Sequence, residues 1–154
     1  MKCISIKQPF AYLLCANIKN IENRTWKLPE KYKGERVLIH ASADRKLNLS
    51  ALTRDQYNDA CDNFDWNGAM KPCDQWDRSA IIGSVRFVDC VINHESIWAE
   101  KTPYLINPSE HPLKQIYNWV VADPILFDKP ILNVKGKLGF WDYDLPEEYV
   151  KFLK

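Results

Sequence analysis

Between Pro9 and Trp26 the spacing of apolar and polar residues changes from a helical period to a period of two, and this switch limits the fold more tightly than any other stretch of the chain. Pro9 suits the first turn of a helix, where its missing N–H is not needed, and Phe10, Leu13, Leu14 and Ile18 follow at helical spacing. The pattern predicts a short helix over residues 9–18 with one buried face. From Asn20 onward the alternation puts Asn20, Glu22, Arg24 and Trp26 on one face of a strand and Ile21, Asn23 and Thr25 on the other, with Lys19 at the junction. An ammonium, a carboxylate, a guanidinium and an indole gathered on one strand face make a chemically loaded surface. The plainer alternative is a solvated strand with a Glu22–Arg24 ion pair.

A chain of 154 residues has room for one domain with a real core. Residues 1–154 are read as a single domain carrying a helix-loop insertion at about 45–78. The N-terminus shows neither a signal peptide nor an apolar membrane-spanning run, so the expected location is cytoplasmic and no membrane partner is expected. Five cysteines, odd in number and without a C-x-x-C pair, argue against a disulfide framework or a cysteine zinc site. A formal net charge of +1 excludes a polycation that holds duplex nucleic acid by its overall field, so any such contact must be local. The N-terminal third is basic and the stretch from Asp55 to Asp77 acidic.

Further along, Glu35 to Ser42 reads as a strand with Val37, Ile39 and Ala41 on one face and Arg36, Leu38, His40 and Ser42 on the other. Thr53-Arg54-Asp55-Gln56 has the form of a capping box and predicts a helix over about 53–64. Residues 65–78 read as a loop that Trp66 and Trp76 pin to the core. Ser79 to Asn93 is the strongest strand, with Gly83 as a bulge or close-approach point. His94 to Glu100 is expected as a short helix, and Tyr117–Phe127, Pro130–Val134 and Leu138–Tyr143 as strands, the last preceded by a tight turn at 135–137. The tail predicts a terminal helical turn. The fold class is α+β: a small mixed β-barrel of about six strands with an N-terminal helix and an inserted helix.

The segments S-I-K-Q-P-F-A, I-K-N-I-E-N-R-T-W, G-E-R-V-L-I-H-A-S, I-I-G-S-V-R-F-V-D-C, Y-N-W-V-V-A-D-P and K-G-K-L-G-F-W span residues 5–141. In that order they resemble the ASCH family, the activating-signal-cointegrator homology domain, whose members share the PUA-like barrel. The resemblance implies a cleft between the N-terminal helix and the barrel that faces RNA, DNA or a modified nucleoside. Family members are variously associated with nucleic-acid binding in transcriptional coactivators, with RNA cleavage, and with hydrolysis of the acetyl amide of acetylated cytidine. The last activity belongs to a shorter branch that relies on a lysine, a threonine and a glutamate. The lysine matches Lys19, but the threonine position is Glu22, which removes the hydroxyl nucleophile of that mechanism.

Taken together, these residues predict binding of RNA, another single-stranded nucleic acid or a modified nucleoside. Lys7, Lys19, Arg24 and Lys27 would meet phosphates, Glu22 and Gln8 would read a base, and Trp26 and Trp119 would stack it. His40 and Ser42 extend this surface; as a base and a nucleophile they would stand about 7 Å apart on one strand face, too far for direct proton transfer. The alternative is a hydrolase acting on RNA or on an acylated cytidine, with Lys19 and Glu22 as the catalytic pair. A further alternative is a protein-interaction module that uses the acidic, aromatic residues 55–77. No cofactor is expected: His40, His94 and His111 lack zinc-site spacing, although a transient Mg²⁺ carried by an RNA phosphate would leave no signature. Trp141 is assigned to the core.

Overall fold

Strand β1 (Lys2–Ile6) carries buried side chains on both faces, Cys3 on one and Ile4 and Ile6 on the other. A strand of that kind needs a layer on each side. The computed structural model describes residues 1–44, 51–63, 76–102 and 115–153. Among these, β1, β2 (Ile21–Arg24), β3 (Arg36–Ala41), β4 (Ala80–Val91), β5 (Tyr117–Ile131) and β6 (Phe140–Asp142) form one mixed sheet in the order β2-β5-β4-β3-β1-β6. The β1–β3 pairing is parallel and the others are antiparallel. The six-stranded α+β architecture expected from the sequence is present as a sheet curled into a half-barrel. Strand β1 itself is an addition, because the alternation in residues 1–6 is too short to distinguish from an extended lead-in.

Curling brings the two ends of the sheet together. Phe140 of β6 lies parallel to Trp119 of β5, with centroids 5.7 Å apart and ring planes 4° from parallel, and Trp26, just beyond β2, meets Phe140 edge-on at 5.7 Å. These rings fill the interior with Ile4, Val37, Ile39, Val85 and Phe87. On the outer face, Cys3, Leu38, Ile81, Phe127 and Trp141 form a second cluster, against which Tyr149 of the terminal helix α3 (Glu147–Val150) packs. Trp141 is in the core, as expected.

Helix α1 (Phe10–Cys15) is shorter than the 9–18 expectation. Asn17 enters the left-handed region at φ 60, and the N–H groups of Ile18 and Lys19 both return to the Leu13 carbonyl. The helix therefore closes before Ile18 and turns the chain towards β2. Ala11, Leu14 and Cys15 face the interior of the half-barrel; Leu13 faces the opposite way, towards Ile21, Ala60 and Trp98. Ala60 belongs to α2 (Arg54–Asn63). That helix begins with the expected reciprocal cap: the Gln56 N–H donates to Thr53 Oγ1 at 3.2 Å and the Thr53 N–H to Gln56 Oε1 at 3.1 Å.

Gly83 is the close-approach point anticipated in β4. A Cβ there would lie 2.1 Å from the Ile125 carbonyl oxygen and 2.8 Å from Cys15 Sγ, and the β4–β5 register shifts at this position. Two expectations are corrected. His94 to Glu100 form turns instead of a helix, because the backbone there bonds to Asn23 and Asn118 of the sheet. The two strands expected at 117–127 and 130–134 are one strand, β5. Among the described residues β2 pairs only with residues 117–120 of β5, which leaves one side of the later strand without a ladder there and accommodates Pro124 and Pro130. Cys73, His111, Trp66 and residues 64–75 of the expected 55–77 partner surface lie outside the described residues.

Candidate nucleic-acid interface

The cleft lies where the end of β1, the start of α1, strand β2 and the residue after β3 converge. It has a volume of about 380 Å³ and is lined by Ser5, Ile6, Lys7, Phe10, Lys19, Glu22, Asn23, Arg24, Ser42 and Glu100. The turn after α1 aims Lys19 inward and the two-residue repeat of β2 places Glu22 and Arg24 beside it. Lys19 Nζ donates to Glu22 Oε2 at 3.0 Å and also to the Ile21 carbonyl. Arg24 Nε lies 3.0 Å from Glu22 Oε1, and Arg24 Nη2 donates to the Ser5 carbonyl at 2.9 Å. One buried carboxylate therefore sits between two cations. Burial pushes the Lys19 ammonium below its usual pKa, and Glu22 works against that shift. The Lys19 ammonium also stands 5.4 Å from the centre of the Phe10 ring, within cation–π range.

Asn23 fixes the rim. Its Nδ2 donates to the Trp98 carbonyl at 2.9 Å, and its Oδ1 accepts from the Glu100 N–H at 3.0 Å and from Asn118 Nδ2 at 2.9 Å. This amide relay ties the turn that carries Glu100 to β2 and β5. Lys7 is exposed at the mouth and pairs with Asp44 at 2.8 Å.

Of the residues singled out in the sequence, Lys7, Lys19, Glu22, Arg24 and Ser42 line this cleft, and the others do not. Trp119 is a correction: it is completely buried, edge-on to Trp26 at 4.6 Å, and the Arg24 guanidinium lies 6.0 Å over its ring, so it has no face for a base. Trp26 packs in the same aromatic cluster and its carbonyl accepts from Trp119 Nε1. Gln8 is a brace, not a reader; its Oε1 accepts from the Tyr12 N–H and its Nε2 donates to the Asp77 carbonyl. His40 faces the outer side of the sheet. Its Nε2 donates to the Val134 carbonyl at 2.9 Å, its Nδ1 is 3.1 Å from Ser5 Oγ, and Gly136 covers the ring where a Cβ would come within 2.6 Å. Lys27 is exposed beside Glu30, off the cleft. Phe10 is the aromatic side chain that does line the cleft; its place directly after Pro9 was the available signal. Glu100 had no signal in the sequence. Among the described residues, no three His, Cys, Asp or Glu side chains could together hold a metal ion, and no helix is long and apolar enough to cross a membrane.

A curled mixed sheet with a short helix at its mouth holds a charged cleft between them. The family model described as "ASCH domain" matches residues 4–131, and the chain belongs to the ASCH domain family. That family has a generally RNA-binding, PUA-like fold. The crystal structure of ASCH from Zymomonas mobilis is similar at TM-score 0.52 and 14% identity, covering 99% of this chain and 92% of that one. Structures of a Ser-to-Ala and a Tyr-to-Phe variant of the same Zymomonas protein give TM-scores of 0.50 at 14% identity, covering 99% of this chain and 92% and 94% of theirs. No curated protein sequence matches the chain.

Proposed function

We propose that this domain binds single-stranded RNA or a modified nucleotide, with one base entering the cleft between α1 and β2. The carrying observation is the Lys19–Glu22–Arg24 cluster: two cations share one buried carboxylate at the floor of an open cleft. Burying such a group costs several kcal/mol per ion before pairing, and replacing it with apolar side chains is often neutral or stabilising, so stability alone gives little reason for it. A cleft of about 380 Å³ is within the range of small-ligand sites. Phe10 offers it an aromatic surface, and Lys7 at the mouth offers a cation to a phosphate.

A second reading is hydrolysis of a bound RNA or acylated nucleoside, with the contacting Lys19–Glu22 pair at the cleft floor as its chemical groups. One experiment addresses both. The protein is titrated with single-stranded RNA, single-stranded DNA, duplexes and modified nucleosides at two salt concentrations, and the ligands are then weighed by mass spectrometry. Salt-sensitive binding of intact ligand supports recognition. A mass change abolished by Glu22→Gln supports hydrolysis, and no binding by any ligand overturns both.

A further inference from the structure

The strands that end at the cleft begin at a second pocket. β1 and β3 run parallel, and their far end opens into a pocket of about 450 Å³ whose lining includes Lys2, Lys31, Tyr32, Glu35, Arg36 and Arg86. Four of these side chains are cations and one is a carboxylate. Arg36 and Arg86 are directly opposed in the antiparallel register of β3 and β4, which sets their Cβ atoms about 4.5–5.5 Å apart on one face of the sheet. Like charges in that arrangement are destabilising. Burial and the facing Arg86 charge hold the Arg36 guanidinium below its usual pKa.

The protein's own groups neutralise these cations only in part. Asp123 serves both arginines: its carbonyl accepts from Arg36 Nη1 at 2.8 Å, and its carboxylate lies 3.3 Å from Arg86 Nε. Arg36 Nη1 also donates to Ser84 Oγ at 3.1 Å and Arg86 Nη1 to the Gly34 carbonyl at 2.7 Å, both neutral acceptors. Among the described residues, neither Nη2 has a partner or is shut off from solvent, and the Arg86 side chain is 38% exposed. Lys2 pairs with Asp142 at 2.8 Å, whereas Lys31 meets no carboxylate and stands 4.9 Å over the Tyr32 ring. With Glu35, Asp123 and Asp142 all set against them, the four cations keep an excess of one positive charge. In the cleft, by contrast, Lys7, Lys19 and Arg24 each have a carboxylate partner.

We propose that Arg36 and Arg86, with Lys31 beside them, bind a phosphate group in this pocket, at a site separate from the cleft. The planar fork of a guanidinium matches the spacing of phosphate oxygens, and an anion between two opposed arginines replaces their repulsion with two attractions. The inference goes beyond the reading of the cleft as a base-binding site and does not depend on it. Two sources carry this chemistry, a free phosphate compound and the backbone of a single-stranded RNA.

The test titrates wild type, Lys31→Ala, Arg86→Gln and Glu35→Gln with inorganic pyrophosphate and with a single-stranded RNA oligonucleotide at low salt, following backbone amide and arginine Nε–H signals by NMR. Pyrophosphate should move the signals of residues 31–36 and 84–86 saturably and leave those of Lys19 and Glu22 in place. Arg86→Gln should raise the pyrophosphate dissociation constant about tenfold, through loss of a charge-assisted contact. Lys31→Ala should raise it less, and Glu35→Gln should lower it by removing the pocket's own carboxylate. Lys33→Ala deletes a nearby charge already paired with Asp89 at 2.8 Å and serves as the net-charge control. Arg86→Gln also loses its Asp123 contact, so its melting is followed in parallel; Lys31 touches only the Tyr32 ring, and Lys31→Ala should melt as wild type does. A parallel loss of RNA affinity in Arg86→Gln identifies a strand backbone as the source, and unchanged RNA affinity identifies a free phosphate compound. If pyrophosphate moves no signal at 31–36 or 84–86, moves the cleft signals instead, or is weakened as much by Lys33→Ala as by Arg86→Gln, the inference falls. If pyrophosphate binds here while no RNA or nucleoside binds anywhere, the reading of the cleft falls and this site stands.

Discussion

Lys19 Nζ and Glu22 Oε2 lie 3.0 Å apart at the floor of the cleft, with only 3% and 8% of their side chains exposed. Their separation by three residues across the turn from α1 into β2 lets a local sequence feature make a buried pair. Arg24 approaches the other carboxylate oxygen, so the negative charge is shared by two cations.

Removing that charge should therefore be costly. Glu22→Gln leaves two buried or half-buried cations without their counter-ion, and we expect a loss of about 3 kcal/mol in denaturant unfolding. Lys19→Met should partly rescue it, with the double variant less destabilised than the sum of the singles. Additive losses would show that the pair is not coupled.

Lys7 and Lys27 separate the cleft from its surroundings. Lys7 lines the mouth and Lys27 stands apart beside Glu30. Lys7→Ala should weaken single-stranded RNA and reduce the slope of log affinity against log salt by about 0.7, while Lys27→Ala should leave both unchanged. Unfolding of Lys7→Ala should differ from wild type by under about 1 kcal/mol, since its ion pair with Asp44 is largely exposed on the lysine side. Equal effects of the two lysines on binding would move the interface away from this cleft.

Trp119 should behave as a core residue. Trp119→Ala opens a cavity beneath Arg24 and between Trp26, Phe87 and Phe140, and is expected to cost about 3–5 kcal/mol. Trp119→Phe, which keeps an aromatic ring there, should lower the melting temperature with little change in ligand affinity at temperatures where it remains folded. A selective loss of binding with unchanged stability would return Trp119 to the site.

Gly83→Ala should destabilise by about 3 kcal/mol, at the upper end of overpacking costs, because the nearest obstacle to a Cβ is the Ile125 backbone carbonyl. Combining it with Cys15→Ala should not rescue it, since the backbone clash persists. Full rescue would assign the strain to Cys15 instead.

His40 gives the fold a pH dependence of defined sign. Burial holds its pKa below the ordinary 6.5, so the unfolded chain takes up the proton more readily than the folded one. Its contribution is complete above about pH 6.5 and is lost as pH falls through the depressed folded value. Between pH 7.5 and 5.5, wild type should lose more stability in urea than His40→Gln. Equal losses would assign the acid sensitivity elsewhere.

The residues Pro9 to Arg24 determined much of the candidate site without any long-range information. The change of period located α1 and β2, and spacings of two and three residues along one segment were sufficient to place Lys19, Glu22 and Arg24 together. The Thr53–Gln56 cap and the close approach at Gly83 were legible for the same reason, since each depends on a local rule about hydrogen bonding or side-chain volume. Which aromatic faces the cleft was decided only in three dimensions. Pairing of β2 with β5 sets Glu22 opposite Trp119, and Arg24 then covers the ring that the sequence offered as a stacking wall, leaving Phe10 on the cleft wall. Glu100 reaches the rim through the Asn23 and Asn118 amides, and Gln8 and His40 are turned away by partners 69 and 94 residues distant. Local periodicity specifies which side of an element a residue occupies; whether that side becomes a cleft or a core depends on the sheet's curl and on what packs against it.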